Sequence, residues 1–449
     1  MSNRIPSDEA DASKLGQPLH FEFSGKTALN RFLKASMTEK LSSWDPKDLQ
    51  KRGVPSKNLI NVYKRWGEGA LGVILTGNIM IALDQLEAPG NLIIPPDAPF
   101  SGERFEAFKE MASVSKAHGS LIVGQVSHPG RQTEQRLQPD PISASDIQLE
   151  TELMGMRFAK PHAATQKEIQ QVIDGFVHAA EYLYKVGFDG IELHGAHGYL
   201  LAQFLSQTTN KRTDQYGGDL QGRSKIILDI AAAIREKLPP KSGFIVGIKI
   251  NSVEFQEGGF TQEEAKQLVS LLESAKFDFV ELSGGTYQSL AFEHKRESSR
   301  KREAFFLDFA ESIVPGLKKT KTYVTGGFKT VGAMVKALET VDGCGLARPV
   351  SQEPRLCRDI LDGKVTGAID QKIDQGNFGL TNVVAGTQIR QIGKDQEPID
   401  LSDEKNVDAF TQDMGVWWQK LQEDAASMKM YGYVDLNHFQ AKPYGTVEA

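Results

Sequence analysis

Residues 188–223 read FDGIELHGAHGYLLAQFLSQTTNKRTDQYGGDLQGR, and their pattern indicates how the chain is built. A short apolar run, residues 190–193, ends abruptly at HGAHGY, so titratable and aromatic side chains begin where a strand stops. A second apolar run, a polar loop and a helix-like segment follow. In an α/β barrel the active site lies at the carboxyl ends of such strands.

The same alternation of strand and helix recurs on both sides of this segment. We expect strands at residues 31–37, 71–79, 120–126, 188–194, 244–250, 277–284, 321–327 and 342–348. Most of these runs are continuously apolar, as is typical of parallel strands buried on both faces. We expect helices at residues 57–67, 102–117, 165–186, 220–238, 261–276, 305–317, 330–338 and 352–361. This repeat predicts a single (β/α)₈ TIM barrel.

The barrel is expected to fill residues 17–365, with an N-terminal hairpin near LHFEFSG. Residues 1–16 are polar and predict a flexible tail, and residues 366–449 predict a C-terminal helical extension packed on the barrel. Trp417 and Trp418 are expected on the outside of the barrel or at a contact in a possible homo-oligomer. The charged loop 286–303 is either a lid or a solvated charge run.

Composition restricts the class of partner. The net charge of -6 is not that of a nucleic-acid-binding protein. The sequence has neither a signal peptide nor a long apolar run, so we expect a cytoplasmic protein with no membrane partner. Two cysteines, Cys344 and Cys357, are too few for a disulfide framework or a cysteine-ligated iron–sulfur cluster. A small-molecule partner is therefore expected.

His194, His197 and Tyr199 are the candidate catalytic residues. Single histidines are usually structural, but two at the active face of a barrel favour a functional role. A metal site would need a third ligand, and no second cluster follows another strand in the usual arrangement, so we predict no metal. Tyr199 is either a proton donor or an amphipathic core residue.

Small residues follow the last two predicted strands. Gly326 and Gly327 end the seventh, and Gly345, Ala347 and Arg348 end the eighth. Barrels often bind a phosphate at this position, where backbone N–H groups and an arginine can approach it. Glycine also serves tight helix–strand packing, which is the alternative. The G-x-G-x-x-G pattern at residues 67–72 enters a strand instead of leaving one, which excludes a Rossmann dinucleotide site.

Several segments together resemble the Old Yellow Enzyme family of FMN-dependent ene-reductases. The resemblance covers residues 20–365 and rests on NRFLKASMT, LTGN, GQVSHPGR, the GFDGIELHGAHGYLLAQFLS…NKRTDQYGG…GR run, VTGG and GLAR, in the order of the family. Ala347 replaces a usual glycine and Gly222 a usual asparagine, and Thr38 stands where one branch has cysteine.

The resemblance implies non-covalent FMN, reduced by NADPH or NADH and reoxidised by an activated alkene. It assigns FMN contacts to Ala35, Ser36, Met37, Thr38, Gly77, Gln125, Arg223, Gly326, Gly327, Gly345, Ala347 and Arg348, with Arg223 beside flavin N1 and O2. His194 and His197 are then expected to bind the carbonyl or nitro oxygen of the alkene, and Tyr199 to protonate its α-carbon. The alternatives are a metal-dependent TIM-barrel hydrolase or lyase, and a flavin-binding protein without turnover.

Overall fold

The computed structural model describes residues 3–152, 155–251, 261–283, 310–311, 313–424 and 427–446. In these residues eight parallel strands form a closed ring: β1 (Phe32–Lys34), β2 (Val73–Leu75), β3 (Leu121–Ser127), β4 (Gly190–Gly195), β5 (Ile245–Asn251), β6 (Phe279–Ser283), β7 (Lys321–Thr325) and β8 (Gly343–Leu346). Each strand pairs with the next, and β8 pairs with β1. The predicted TIM barrel is confirmed.

Helices lie around the ring and beyond it. In the described chain they are α1 (Lys57–Gly67), α2 (Glu103–Lys116), α3 (Gln166–Lys185), α4 (Leu200–Leu205), α5 (Leu220–Lys237), α6 (Gln262–Ser274), α7 (Val331–Ala337), α8 (Arg348–Gln352), α9 (Leu356–Leu361), α10 (Phe378–Gly393) and α11 (Glu404–Glu423). Thr165 and Thr261 cap α3 and α6, each in a capping box with a glutamate three residues later. These reciprocal hydrogen bonds satisfy donors that a helix leaves unpaired at its start.

Two predicted elements differ in the structure. The run at residues 71–79 supplies β2 and a separate short strand, Ile79–Met80, which pairs with the end of β3 and with Leu92–Ile93. The helix expected at 352–361 is shorter and forms α9, and the separate short helix α8 precedes it. The expected helix 305–317 falls largely outside the described residues, and so does the loop 286–303. Short 3₁₀ turns occur at Ala12–Lys14, Leu49–Lys51, Gly130–Gln132, Pro240–Ser242 and Val314–Gly316.

The expected N-terminal hairpin closes the bottom of the barrel. Its strands, Leu19–His20 and Thr27–Ala28, pair antiparallel. Phe21 is fully buried between them and the barrel, with its ring 6.0 Å from that of Phe279. A further two-stranded pair, Ile142–Ser143 with His162–Ala163, belongs to the long connection after β3. Leu19, Phe21 and Ala28 of the hairpin segment pack against residues of the strands in one hydrophobic cluster.

Residues 3–16 differ from the free tail that their polarity suggests. Arg4 forms an ion pair with Glu353 at 2.7 Å and donates to the carbonyl of Gly367 at 2.8 Å. The hydroxyl of Ser7 accepts a hydrogen bond from the backbone N–H of Gly332. The polar residues of this segment form contacts with the barrel. Composition alone does not show whether polar residues make such contacts or are exposed to solvent.

The C-terminal extension has a small hydrophobic core of its own. Val383, Val384, Ile399, Leu401, Phe410, Trp417 and Val434 form it. Trp417 belongs to this core and Trp418 packs against it, so both help to hold the extension together. A contact of these residues in a homo-oligomer stays a prediction. Ile389 and Ile392 of α10 join the main core, and Arg355 pairs with Glu397 at 2.9 Å, which ties the extension to the barrel. None of the helices in the described part of the chain has both the length and the apolar character needed to cross a bilayer.

Candidate active site

A cavity of about 520 Å³ lies at the carboxyl ends of the strands, a size that suits a cofactor or drug-sized ligand. Six of the eight barrel strands, β3 to β8, contribute residues to its lining, and the segments that follow β1 and β2 contribute Ser36 to Thr38 and Asn78. The barrel residues that line it include Ser36, Met37, Thr38, Asn78, Gln125, His194, His197, Tyr199, Lys249, Ser283, Thr325, Gly326, Gly327, Gly345, Ala347 and Arg348. The structure thus brings most of the residues singled out in the sequence to one place.

His194 and His197 form a hydrogen-bonded pair in this cavity. His194 Nε2 lies 3.1 Å from His197 Nδ1. On its other side, His194 Nδ1 lies 2.8 Å from Asn78 Oδ1 and 3.4 Å from Ser127 Oγ. His197 Nε2 lies 3.1 Å from Ser283 Oγ. Asn78, Ser127 and Ser283 were not singled out in the sequence, although each stands at the end of a predicted strand.

Both imidazoles are neutral at physiological pH. Burial lowers the pKa of His194 well below its usual value, and the charges of His197 and Lys249 act in the same direction. Burial likewise lowers the pKa of His197 to about 3, with a further contribution from Lys249. A neutral imidazole has one donor and one acceptor nitrogen, so the pair can donate hydrogen bonds without carrying charge.

The turn after β4 aims these side chains. His197 has a φ of +59° and Gly198 a φ of +74°, so two consecutive residues adopt the left-handed conformation that side chains other than glycine disfavour. The backbone N–H of His197 donates to Asn251 Oδ1 at 3.1 Å, which holds the turn to the end of β5. Tyr199 follows as the N-cap of α4, with its ring 4.6 Å from that of His194. One short segment therefore positions three polar side chains.

Lys249 is the cation of the cavity floor. It lies on β5, is almost fully buried, and pairs with Glu281 on β6 at 3.0 Å. Gln125 lies near it on the cavity wall and donates to Glu192 at 2.6 Å. The sequence carries a signal for Lys249, since FIVGIKI places a lysine near the end of an otherwise apolar strand.

The opposite end of the cavity suits an anion. Gly326 and Gly327 after β7, and Gly345, Ala347 and Arg348 after β8, lie there together with Lys329. Gly327 has a φ of +80°, a conformation that glycine adopts without strain. Lysine, arginine and exposed backbone N–H groups are the usual donors to a phosphate.

Comparison with known proteins agrees with this geometry. Residues 14–365 match the model of the NADH:flavin oxidoreductase / NADH oxidase family. The chain belongs to this family. The Old Yellow Enzyme resemblance of the sequence is thereby confirmed, and the protein is an oxidoreductase of a family of flavin-dependent, NADH-linked enzymes.

Two fungal members of the family illustrate its likeness to known proteins. The chain is 54% identical over 412 residues to the NADH-dependent flavin oxidoreductase nadA of Aspergillus parasiticus, covering 91% of this chain and 92% of that protein. It is 33% identical over 359 residues to the NADH-dependent flavin oxidoreductase iliE of Hypocrea jecorina, covering 75% and 86%. The structure of morphinone reductase has the same fold, with a TM-score of 0.63, 21% identity and coverage of 79% and 91%.

The donor groups of this family member fit FMN. A phosphate at the Arg348 end and a flavin ring over Gln125 and Lys249 would use the two polar ends of one cavity. Met37, which is partly buried against the core, also lines the cavity wall. The arrangement matches an elongated molecule that has a dianion at one end and a polar ring system at the other.

Arg223 does not lie in the cavity, which corrects its assignment beside flavin N1 and O2. It is in the first turn of α5, where Nε donates to the carbonyl of Leu205 and Nη1 to that of Gly218, each at 2.7 Å. Its third nitrogen forms an ion pair with Glu264 at the start of α6. Arg223 thus links α5 to the end of α4, to the loop at Gly218 and to the start of α6. The buried cation that faces the site is Lys249.

Gly77 and Ala35 also face away from the cavity. The N–H of Gly77 donates to Glu39 Oε1 at 2.9 Å, and a Cβ at residue 77 would meet the Glu39 carboxylate at 2.1 Å. Ala35 is fully buried in a hydrophobic cluster inside the barrel and is not among the residues that line the cavity. Ser36, Met37 and Thr38 do line the cavity, so only the first residue of this predicted group is displaced.

The C-terminal extension supplies the remaining wall of the site. Asn377, Phe378, Thr381, Asn382, Val383, Gly386, Gln388, Trp417 and Tyr433 all line the cavity. Arg348 Nη1 donates to Thr381 Oγ1 at 2.7 Å, so the phosphate end of the barrel touches α10 directly. The sequence analysis placed the extension on the barrel but did not foresee that it enters the site.

Proposed function

We propose that the protein is an FMN-dependent NAD(P)H oxidoreductase that reduces the C=C bond of α,β-unsaturated carbonyl or nitro compounds. The observation that carries this proposal is the neutral histidine pair beside a buried lysine in one cavity. The two neutral imidazoles can donate hydrogen bonds to an uncharged substrate oxygen. The buried lysine in the same cavity can stabilise a cofactor that becomes electron-rich on reduction.

FMN supplies the chemistry when bound, since its N5 accepts hydride from a nicotinamide and donates hydride to the substrate β-carbon. Gln125 and Lys249 are the residues for its pyrimidine side, and Lys249 would stabilise negative charge there. Arg348, Lys329 and the N–H groups of Gly326 and Gly327 are the residues for its phosphate.

The histidine pair would bind the carbonyl or nitro oxygen of the substrate. For both rings to donate, His194 carries its proton on Nε2 and accepts at Nδ1. The Asn78 amide must then turn its NH₂ group toward Nδ1 and donate to it, and the Ser127 hydroxyl can donate there as well. His197 carries its proton on Nδ1 and accepts at Nε2 from the Ser283 hydroxyl. In this tautomeric state the hydrogen bond between His194 Nε2 and His197 Nδ1 is lost, and both nitrogens would donate to the substrate oxygen instead. They would stabilise the charge that grows on that oxygen during hydride transfer.

Tyr199 is the proposed proton donor to the α-carbon. It is buried to 4% exposure and lines the cavity beside His194. Its neutral phenol can give a proton to the α-carbon as the β-carbon receives hydride, and the phenolate that remains would then be reprotonated by solvent. We place the enzyme in the cytoplasm, and the names of its fungal relatives favour NADH over NADPH.

An anaerobic titration tests this function. The purified protein should be yellow, and NADH or NADPH should bleach it. Addition of cyclohexenone or a nitroalkene should then restore the colour with one equivalent of saturated product. A colourless protein that takes up no FMN, or a bleached protein that no activated alkene reoxidises, would overturn the proposal.

A further inference from the structure

The carboxylates that surround Lys249 are not used by the proposed function. Lys249 and Glu281 face each other directly in the pairing of β5 with β6, and their side chains are 3% and 0% exposed. Thr325 on β7 donates its hydroxyl to the same oxygen of Glu281 that pairs with the lysine. The carboxylate is thus fixed against the ammonium group from two sides.

A second carboxyl group, Glu192 on β4, lies in the same interior. Its Oε1 accepts from Gln125, whereas Oε2 has no hydrogen-bond partner among the described residues, and the same holds for Glu281 Oε2. Burial, and then the charge of Glu281, raises the pKa of Glu192 well above its usual value, although Lys249 and Gln125 act in the opposite direction. A proton on Glu192 Oε2 would satisfy both orphaned oxygens, because a protonated carboxyl group donates.

The other buried charges nearby are already balanced. Lys34 donates to the carbonyl of Leu75 at 2.9 Å and lies 4.1 Å from the ring of Trp66. Glu39 accepts from Tyr63 and from the N–H of Gly77. With Glu192 neutral, the charges of Lys34 and Lys249 are matched in number by those of Glu39 and Glu281.

We propose that Glu281 is a positioning residue that offsets the charge of Lys249 and so lowers the reduction potential of the bound flavin, while Glu192 is a neutral hydrogen-bond donor. Hydride transfer to the flavin adds negative charge to it, and a lone buried cation would favour that state strongly. A cation already paired with a carboxylate favours it less. The reduced cofactor is then a stronger hydride donor to the alkene.

This inference rests on the proposed function, and isosteric substitutions separate the two carboxyl groups. Glu281→Gln removes one negative charge and retains the shape of the side chain. Glu192→Gln is the matched control, because it replaces a neutral acid by a neutral amide that can still accept from Gln125 and donate to Glu281. Both proteins are prepared with FMN bound, and the flavin midpoint potential is measured by titration against reference dyes.

Glu281→Gln should raise the midpoint potential by about 30 mV, which is tenfold in the equilibrium constant of a two-electron couple. Sulfite, which adds to oxidised flavin and places negative charge on it, should bind about tenfold more tightly by the same conversion. Glu192→Gln should leave both quantities near the wild-type values. An unchanged or lowered potential in Glu281→Gln, or an equal rise in both variants, would overturn the inference.

A double-mutant cycle tests whether Glu281 acts through Lys249. In a Lys249→Met background, Glu281→Gln should no longer change the potential, and a full shift there would overturn the inference. If Glu281→Gln does not fold, Glu281→Asp retains the charge but withdraws it from Lys249, and should raise the potential by a smaller amount. No rise in Glu281→Asp would also overturn it. A wild-type protein that takes up no FMN would instead refute the proposed function.

Discussion

The turn after β4 and the C-terminal extension line the same cavity but are built in opposite ways. The turn is one continuous segment, residues 194–199, whose backbone conformation at His197 and Gly198 aims its side chains locally. The extension reaches the cavity from more than 170 positions further along the chain, through residues such as Thr381 and Trp417. Its position depends on its own core and on contacts with the barrel.

The two regions contribute different things to the site: the turn supplies reactive groups, and the extension supplies part of the cavity wall. The turn contributes two imidazoles and a phenol, which are groups that can donate hydrogen bonds or protons. The extension contributes mainly aromatic, aliphatic and amide side chains. We therefore expect substitutions in the turn to change reaction rates, and substitutions where the extension meets the barrel to change cofactor binding.

The largest effect is expected for the combined substitution of His194→Ala and His197→Ala. Loss of one donor to a developing oxyanion typically costs about 10² to 10³ in rate, and the pair supplies both donors. The variant should also lose the long-wavelength band that phenolates give when they stack on bound flavin. Steady-state enone reduction and phenol difference spectra are the measurements.

Flavin content is the control for this double variant, since neither histidine belongs to the phosphate end of the cavity. A variant that retains FMN and still gives wild-type phenol spectra would remove the histidines from the oxygen-binding role.

Tyr199→Phe should have a smaller and more selective effect. It deletes the phenolic O–H and leaves the ring packing beside His194 intact. Flavin reduction by NADH needs no proton on carbon and should proceed at a near-normal rate. Reoxidation by cyclohexenone should slow by about 10² or more, since general-acid help is typically worth 10² to 10⁴.

Nitroalkenes provide the internal control for Tyr199→Phe, because a nitronate anion is stable enough to leave unprotonated. Stopped-flow traces of both half-reactions decide the matter. If both half-reactions slow equally, or neither slows, Tyr199 is not the acid.

The features that could be predicted from the sequence are those that depend on short, continuous segments. The barrel could be predicted because buried strands and capped helices alternate, and the β4 turn because its polar residues follow a strand directly. Arg223 and Lys249 show where such reasoning stops. Arg223 sits in a motif of the family but turns its guanidinium to the carbonyls of Leu205 and Gly218. The direction of a side chain across a helix is decided by tertiary contacts that no short segment contains.

The extension illustrates the same limit on a larger scale. Its helices were expected, yet nothing in their own sequence states which surface they cover. Trp417 was expected on the outside of the barrel or at a subunit contact, and its packing partners include residues distant in sequence, such as Val383 and Val434. Only the three-dimensional structure therefore shows that the extension forms part of the cavity wall.

The smallest effect concerns the point where the two parts of the site touch, the hydrogen bond from Arg348 to Thr381. Arg348→Ala should weaken FMN binding about 10- to 100-fold, because a hydrogen bond to a charged group is worth about 1.5 to 3 kcal/mol. Thr381→Val keeps the shape and removes only the hydroxyl that orients the guanidinium. It should weaken binding about 2- to 10-fold, as expected for an ordinary hydrogen bond.

Fluorescence quenching of FMN by the flavin-free proteins gives both dissociation constants. The double variant tests whether the extension acts through the arginine, since Thr381→Val should then add little to Arg348→Ala. Additive losses would mean that the start of α10 contacts the cofactor independently. Wild-type affinity in Thr381→Val would mean that the barrel alone holds the phosphate, which would reduce the extension to a wall for the substrate.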